Sequence, residues 1–181
     1  MEKNYIIAGF GGQGVLFAGK IIANAFMIAG KNVTWYPCYG AEMRGGTVNC
    51  EIVVSDDEVS SVHKQSVDCV IALNQLSFDR FISKINKGGT IICNSSLIEE
   101  TRPRNDINYI FTPMTDKAIE IGNHRLANMV SLGVLSDYER ELNLQVLEKA
   151  VDMVLPESRK NLLKSNINAI ESGMSKHGSL V

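Results

Sequence analysis

The residues with the clearest chemical meaning form a glycine-rich stretch near the amino terminus. Gly9, Gly11 and Gly14 have the spacing G-x-G-x-x-G, with Gly12 and Gln13 between the last two. The stretch follows a short apolar segment typical of a buried strand and precedes apolar residues at helical spacing. Glycines let backbone N–H groups approach an anion, and a helix start adds unpaired donors and the positive end of its dipole. The sequence therefore predicts a phosphate or diphosphate site at residues 11–14.

This spacing alone does not identify a nicotinamide-dinucleotide site. Such a site carries an acidic residue at the end of the second strand, about 20 residues on, where it holds the ribose hydroxyls. Here the second predicted strand ends at Tyr36 and Pro37, and the first acid after it is Glu42. A dinucleotide site and a tight turn that binds nothing both stay open as alternatives. The tight turn, however, requires neither Gly12 nor Gln13.

A second glycine-rich stretch, residues 38–46, carries opposite charges. Glu42 and Arg44 flank a methionine, and three glycines surround them. Because the stretch follows the second predicted strand, it should leave the sheet at the same carboxyl edge as the first glycine loop, where open α/β sheets bind ligands. Arg44 offers a planar fork of donors that suits phosphate or carboxylate. A surface ion pair is the alternative, but so many glycines favour a binding loop.

A third stretch, residues 122–135, is polar at first and then small and apolar, which predicts a turn that leads into a tightly packed helix. His124 is interpreted as a solvated residue at the start of that helix. His63 and His177 are isolated, and the sequence contains no Cys/His or Ser/His/Asp constellation. A phosphate-like site without an acid, base or nucleophile set predicts a chain that completes the active site of another chain.

The four cysteines are Cys38, Cys50, Cys69 and Cys93, and none forms a C-x-x-C pair. The sequence therefore predicts neither a zinc ribbon nor a ferredoxin-type cluster in this chain. The last three lie in apolar, strand-like segments and are expected to be small buried hydrophobes. Cys38 follows Pro37 in a predicted loop. If the chain takes part in electron transfer, iron–sulfur centres are expected on another chain.

The elements that position these loops alternate along the chain. Strands are predicted at residues 5–8, 32–36, 47–54, 68–73, 90–93 and 108–111, and helices at 14–29, at 75–85 and beyond 115, with breaks near Gly122, Asn143 and Pro156. Such an alternation of apolar strands with helices predicts a Rossmann-like, three-layer α/β/α fold with a largely parallel sheet. Residues 47–54 follow a loop too short for a helical crossover, so a mixed sheet is expected. A single domain should span residues 1–181.

Composition excludes several classes of partner. The apolar fraction is 45% and the charged fraction 21%, as in ordinary globular proteins. The chain has 18 basic and 20 acidic residues and no basic run, so nucleic acid is not an expected partner. It contains no run of about 20 apolar residues and no signal-peptide layout. We therefore expect a cytoplasmic protein with no membrane partner.

Taken in order, these stretches resemble the gamma subunit, or gamma domain, of 2-oxoacid:ferredoxin oxidoreductases. The matching segments are residues 9–15, 39–47 and 122–133, and residues 161–173 resemble the C-terminal helix of the family. Ala41 departs from the proline that the family pattern carries there. The segments extend over nearly the whole chain, and their order and spacing are more specific than any one of them.

The resemblance implies a subunit that is inactive alone, within an enzyme that oxidatively decarboxylates a 2-oxoacid, forms an acyl-CoA and reduces ferredoxin. It implies that thiamine diphosphate, Mg and the iron–sulfur clusters are on partner subunits, one thiamine-binding and one ferredoxin-like. The form Glu-Met-Arg-Gly-Gly-Thr at residues 42–47 is more similar to the 2-oxoglutarate and branched-chain enzymes than to the pyruvate type, and 2-oxoglutarate is the favoured substrate. A branched-chain 2-oxoacid or pyruvate stays open.

Coenzyme A is the ligand that the resemblance implies for this chain, because its 3′-phosphate and diphosphate match the predicted anion donors. We expect the glycine loop, the segment of Glu42 and Arg44, and Asn128 with Met129 to converge on one patch that receives its nucleotide end. Two other functions stay open. One is a stand-alone NAD(P)-binding oxidoreductase, and the other is a non-catalytic assembly subunit whose glycine loop only packs against a partner.

Overall fold

Short apolar segments form strands, and the segments between them form helices, in the computed structural model, which describes residues 2–39, 47–59 and 65–174. Within these ranges the strands are β1 (Glu2–Phe10), β2 (Asn32–Tyr39), β3 (Thr47–Ser55), β4 (Val67–Ala72), β5 (Ile85–Asn94) and β6 (Asn108–Thr112). The α-helices are α1 (Val15–Ile28), α2 (Gln75–Phe81), α3 (Met114–Glu120), α4 (Ala127–Ser136), α5 (Leu144–Val154) and α6 (Leu163–Gly173). Short 3₁₀ segments stand at Ile82–Lys84, His124–Leu126, Arg140–Leu142 and Glu157–Leu162.

The strands form one sheet with the order β2-β3-β1-β4-β5-β6. β1, β4, β5 and β6 pair in parallel, whereas β3 pairs antiparallel with both β1 and β2. The largely parallel, mixed sheet that the sequence predicts is thus confirmed, since β2 and β3 are joined without a helix between them. All strands except β3 point the same way, so their carboxyl ends share one edge of the sheet.

The helices cover the two faces of the sheet unequally. α1 and α3 to α6 share one hydrophobic core with residues such as Ile7, Ile71 and Ile92. On the other face, Phe78 and Phe81 of α2 pack in a smaller core over β1, β4 and β5. The predicted α/β/α layering is confirmed. Within the ranges given above, no helix combines the length and the apolarity that a membrane span requires.

α4 and α6 approach each other closely because both carry a glycine at their contact. A Cβ atom at Gly133 would lie 1.9 Å from the carbonyl oxygen of Ile170, and one at Gly173 would lie 2.0 Å from that of Val130. No side chain fits at either position without a displacement of the backbone. These glycines therefore let α4 and α6 pack in close contact.

Two predicted strand boundaries are wrong. Pro37 does not end β2, which continues through Cys38 to Tyr39. β2 lies at an edge of the sheet with only β3 beside it, so a residue without an N–H group is tolerated there. Cys38 is therefore in a strand and not in a loop. The strand predicted from residue 90 begins earlier, because the glycine pair at residues 88–89 lies inside β5 and not in a turn before that strand. The pairing of β5 with β4 shifts register at this point.

Candidate functional site

The glycine loop connects the carboxyl end of β1 with the start of α1 at the carboxyl edge of the sheet. It turns through a hydrogen bond from the backbone N of Gln13 to the carbonyl oxygen of Phe10, at 3.1 Å. Gly12 and Gly14 have φ angles of 96° and 72°, which side-chain-bearing residues rarely adopt. Gly14 is the N-cap of α1 and supplies no side-chain acceptor, so the first backbone donors of the helix are left to water or a ligand.

Gln13 fastens this loop to the neighbouring strand. Its Oε1 accepts hydrogen bonds from the backbone N of Phe10 at 2.7 Å and from Nδ2 of Asn74 at 2.9 Å. Its Nε2 donates to the carbonyl oxygen of Leu73 at 3.3 Å. Gly9 makes room for this amide, because a Cβ there would lie 2.7 Å from Oε1. The side-chain amide of Gln13, which a tight turn alone does not require, thus joins the ends of β1 and β4.

The amide network continues to β5 and α3. Nδ2 of Asn94, a fully buried side chain, donates to the carbonyl oxygen of Leu73 at 3.3 Å and to Oγ1 of Thr115 at 2.9 Å. Oδ1 of Asn94 accepts from the backbone N of Thr115 at 3.3 Å. Burying an amide costs free energy unless it is hydrogen-bonded, and a fully hydrogen-bonded network holds its members in one arrangement. The strand ends that carry the glycine loop are therefore rigid.

The two residues predicted from the third stretch have different positions. Asn128 is buried in the first turn of α4, and its Nδ2 donates to the carbonyl oxygen of Gly14 at 3.0 Å. Met129 is completely buried and packs in the core between the sheet and the helices. The structure thus brings Asn128 to the glycine loop, whereas the side chain of Met129 lies beneath the surface and can act there only through packing.

A cleft of about 320 Å³ opens beside the glycine loop at the carboxyl edge. It is lined by Gly11, Gly12, Gln13, Leu73, Leu97, Thr115, His124, Arg125 and Ala127. The side chains of His124 and Arg125 are exposed on the short 3₁₀ turn before α4. No acidic residue is among those lining the cleft within the described ranges. Backbone donors at the loop and an arginine in the same lining suit an anionic ligand.

Sequence reasoning missed Arg125 because a single arginine before a helix is usually only solvated. Its turn is held by Asn123, whose Oδ1 accepts from the backbone N of Arg125 at 3.1 Å. The pair Gly122 and Asn123 was a visible signal for a turn. That the turn faces the glycine loop, more than 100 residues earlier in the chain, follows only from the packing of α4 against α1.

Glu42 and Arg44, the other predicted ligand-binding residues, lie outside the described residues. The structure does describe both flanks of their segment. β2 ends at Tyr39, and β3 begins at Thr47, which pairs with Phe10 at the end of β1. Both flanks therefore lie at the carboxyl edge of the sheet, and Thr47 lies beside the end of β1.

The cysteines are mostly core residues. Cys50, Cys69 and Cys93 are buried, as the sequence predicts, and burial raises the pKa of Cys50 and of Cys93 to about 12. Cys38 is half-buried, and its thiol pKa is also raised, chiefly by burial. In the part of the chain that the structure describes, no group of three or more His, Cys, Asp or Glu residues could hold a metal ion.

Comparison with known proteins gives consistent matches over almost the full chain. A sequence profile of the family described as pyruvate ferredoxin/flavodoxin oxidoreductase matches residues 4–176. Subunit KorC of 2-oxoglutarate synthase from Archaeoglobus fulgidus is 34% identical over 95% of this chain and 86% of that protein. Subunit VorA of ketoisovalerate oxidoreductase from Methanothermobacter marburgensis is 34% identical over 89% of this chain. This chain spans only 37% of the length of VorA.

Solved structures show the same fold. The gamma subunit of a keto/oxoacid ferredoxin oxidoreductase from Geobacter sulfurreducens is 28% identical, with a TM-score of 0.83 over 96% of this chain and 94% of that one. The 2-oxoglutarate:ferredoxin oxidoreductase from Magnetococcus marinus, solved with 2-oxoglutarate, coenzyme A and succinyl-CoA bound, has a TM-score of 0.84. Its matching chain is 23% identical, and this chain spans 30% of it, so this likeness concerns the fold alone.

Proposed function

Because this chain belongs to the pyruvate ferredoxin/flavodoxin oxidoreductase family, we propose that it is the gamma-type subunit of a 2-oxoacid:ferredoxin oxidoreductase. The complete enzyme would decarboxylate a 2-oxoacid oxidatively, transfer the acyl group to coenzyme A and reduce ferredoxin. Thiamine diphosphate with Mg and the iron–sulfur clusters would belong to a thiamine-binding and a ferredoxin-like partner subunit. The match with KorC along most of both chains supports this assignment.

The substrate we propose is 2-oxoglutarate. KorC, a 2-oxoglutarate synthase subunit, has nearly the same extent as this chain, whereas VorA, a ketoisovalerate oxidoreductase subunit, is far longer. The form of residues 42–47 disfavours pyruvate but does not separate 2-oxoglutarate from branched-chain 2-oxoacids. A branched-chain 2-oxoacid is the second candidate, because VorA is equally identical over the part that it shares with this chain.

The role we propose for this chain is to hold the nucleotide end of coenzyme A in the cleft at the carboxyl edge. The observation that carries this proposal is that Gly11 and Gly12, with their backbone donors, line the same cleft as Arg125. A multiply charged phosphate group fits such a cleft, since no carboxylate of the described residues lines it. Gln13 and Asn128 would hold the loop in shape, and Arg44 would approach from the neighbouring segment.

The order of the sheet gives less support to a nicotinamide-dinucleotide site. In a dinucleotide-binding fold, the second strand lies next to the first, and its acidic end residue reaches the ribose. Here β3 lies between β1 and β2, so the end of β2 is two strands away from the glycine loop. The end of β2 also carries Cys38 and Tyr39 instead of an acid.

An assembly role without ligand binding is the second candidate, and one observation favours it. Gln13 and Asn128 both use their amides on backbone groups of the chain itself, which gives part of the glycine motif a purely structural explanation. That explanation does not extend to Gly11, where a Cβ would meet nothing within 4 Å. It also leaves without a purpose the cleft that no acid of the described residues lines.

The test is substitution of each candidate arginine in the assembled enzyme. Arg125→Ala and Arg44→Ala should each remove a charge-assisted contact worth roughly 1.5–3 kcal/mol, so the KM for coenzyme A should rise about 10- to 150-fold with little change in kcat. The half-reaction with the 2-oxoacid, measured without coenzyme A, should be unchanged. Arg159→Ala, at an exposed position in the Glu157–Leu162 turn, is the matched control.

Two results would speak against the proposal. An unchanged dependence on coenzyme A in both variants would place the nucleotide elsewhere. Loss of both half-reactions together would mean that these arginines hold the assembly, which is the second candidate function.

A further inference from the structure

The two edges of the sheet are built differently. β2 forms one edge and contains Pro37, which has no N–H group to offer to an added strand. β6 forms the other edge, and its sequence Asn-Tyr-Ile-Phe-Thr contains neither proline nor a charged residue. Proteins commonly protect exposed strand edges with prolines and charges, because an open edge is a template for pairing. The unprotected edge at β6 therefore points to a partner strand.

The side chains of β6 suit strand pairing. Residues 109–112 are half-buried, and Asn108 is exposed. The rings of Tyr109 and Phe111 lie nearly parallel, with their centroids 6.1 Å apart, on the face that α2 covers. Ile110 packs against the core of the opposite face. Aromatic and β-branched residues contribute most to cross-strand pairs, so both faces of this edge could pack against an added strand.

A groove of about 700 Å³ runs beside β6, and two arginines line it. Arg104 is already paired, since its Nε and Nη2 donate to the two carboxylate oxygens of Asp106 at 2.9 and 2.8 Å. Arg102 is exposed, and its guanidinium lies over the ring of Phe111, 5.9 Å from the centroid. Arg102 forms no ion pair with any residue in the ranges that the structure describes. Among the described residues, Arg102 thus brings to the groove a positive charge without a counter-charge.

We propose that the open edge of β6 receives an extended segment of a partner subunit, with an acidic side chain placed opposite Arg102. This inference rests on the proposed function for the existence of partner subunits. The backbone of the added strand would pair with the outward groups of β6, its apolar side chains would cover Tyr109 and Phe111, and its carboxylate would neutralise Arg102.

Charge decides against a second copy of this chain as the occupant. Two copies of β6 could pair antiparallel about Ile110, which would align Tyr109 of one copy with Phe111 of the other. That arrangement would also bring two copies of Arg102 to the same face, and no acidic residue is among those that line the groove in the described part of the chain. Like charges at close range oppose association, whereas an acidic partner segment is attracted.

The first measurement is hydrogen exchange of the assembled complex, purified through a tag on this chain. The outward amides of β6 should exchange at least about tenfold more slowly than the outward amides of β2. The second measurement is the dissociation constant of the complex between the partner subunits and the Arg102→Glu variant of this chain. This constant should rise at least about fivefold, and the rise should be smaller at high salt. Arg159→Glu reverses an exposed charge far along the chain and should leave this dissociation constant unchanged. Thermal unfolding of both variants checks that they fold.

The outcomes separate the two proposals. Fast exchange at β6 in a complex that oxidises a 2-oxoacid would overturn the docking site and leave the proposed function intact. Slow exchange at β6 would also overturn the docking site if the Arg102→Lys variant formed chemical cross-links, through the new lysine, to another copy of this chain. A complex without a thiamine-binding subunit would refute both proposals.

Discussion

The side-chain amide of Asn128 donates a hydrogen bond of 3.0 Å to the backbone carbonyl of Gly14, a residue 114 positions earlier in the chain. A Cβ atom at Gly14 would lie 2.3 Å from that same Nδ2. The absence of a side chain at Gly14 therefore permits two features: the close approach of α4 and the positive φ angle. This contact links the start of α4, directly after the turn that carries Arg125, to the glycine loop that lines the same cleft.

Gly14→Ala should destabilise the protein for two reasons. The new methyl group would collide with Asn128, and alanine would have to adopt a φ angle of 72°. The combined strain and overpacking should lower the free energy of unfolding by about 3 kcal/mol. Gly11→Ala is the control, since a Cβ there meets nothing within 4 Å and Gly11 is not among the positive-φ glycines. Denaturant unfolding of the two variants measures the difference, and equal stability would disprove the steric explanation.

Gln13→Glu should loosen the glycine loop while keeping the size of the side chain. The carboxylate can still accept from Phe10 and Asn74, but it can no longer donate to the carbonyl oxygen of Leu73 and would repel it. We expect a loss of about 1–3 kcal/mol in unfolding free energy and weaker binding of coenzyme A to the assembled enzyme. Calorimetric unfolding and the KM for coenzyme A would show this. Full stability would mean that the amide is not a structural element.

Gly133→Ala should separate α4 from α6, because its Cβ would lie 1.9 Å from the carbonyl oxygen of Ile170. Overpacking of this kind typically costs about 1–3 kcal/mol, and a backbone obstacle puts this variant at the upper end. Asn168→Ala, an exposed change in α6, should stay within about 0.5 kcal/mol of the parent protein. Parallel thermal scans compare the two. A shift of similar size in both would contradict a specific glycine contact.

Thiol labelling should single out Cys38. Burial raises the pKa of Cys50 and Cys93 to about 12, and the pKa of Cys69 is raised as well, so these buried groups carry almost no thiolate near pH 8. Cys38 is half-buried and should react first, although more slowly than free cysteine. Mass spectrometry after brief treatment with iodoacetamide should find one modification, which Cys38→Ser removes. Rapid labelling of Cys69 in the native protein would refute the assigned burial.

Local patterns were sufficient to predict the layered fold. The apolar strands, the helix after Gly14 and the breaks near Gly122 and Asn143 follow from hydrophobic periodicity and turn-forming residues, which act over a few neighbours. The short link between the second and third strands predicted the antiparallel pairing. The spacing of the glycines indicated a loop at the carboxyl edge because that spacing limits backbone shape directly.

Other features depended on contacts between distant parts of the chain. The sheet order places β3 between β1 and β2, which tolerates Pro37 at an edge and moves the end of β2 away from the glycine loop. Only tertiary packing brings Arg125 to the cleft and gives Gln13 its structural partners at β4. Periodicity records which side of an element is buried but not which element covers it. The sequence by itself therefore determined the glycine-rich loop after the first strand, whereas the tertiary structure decided which side chains share the cleft with it.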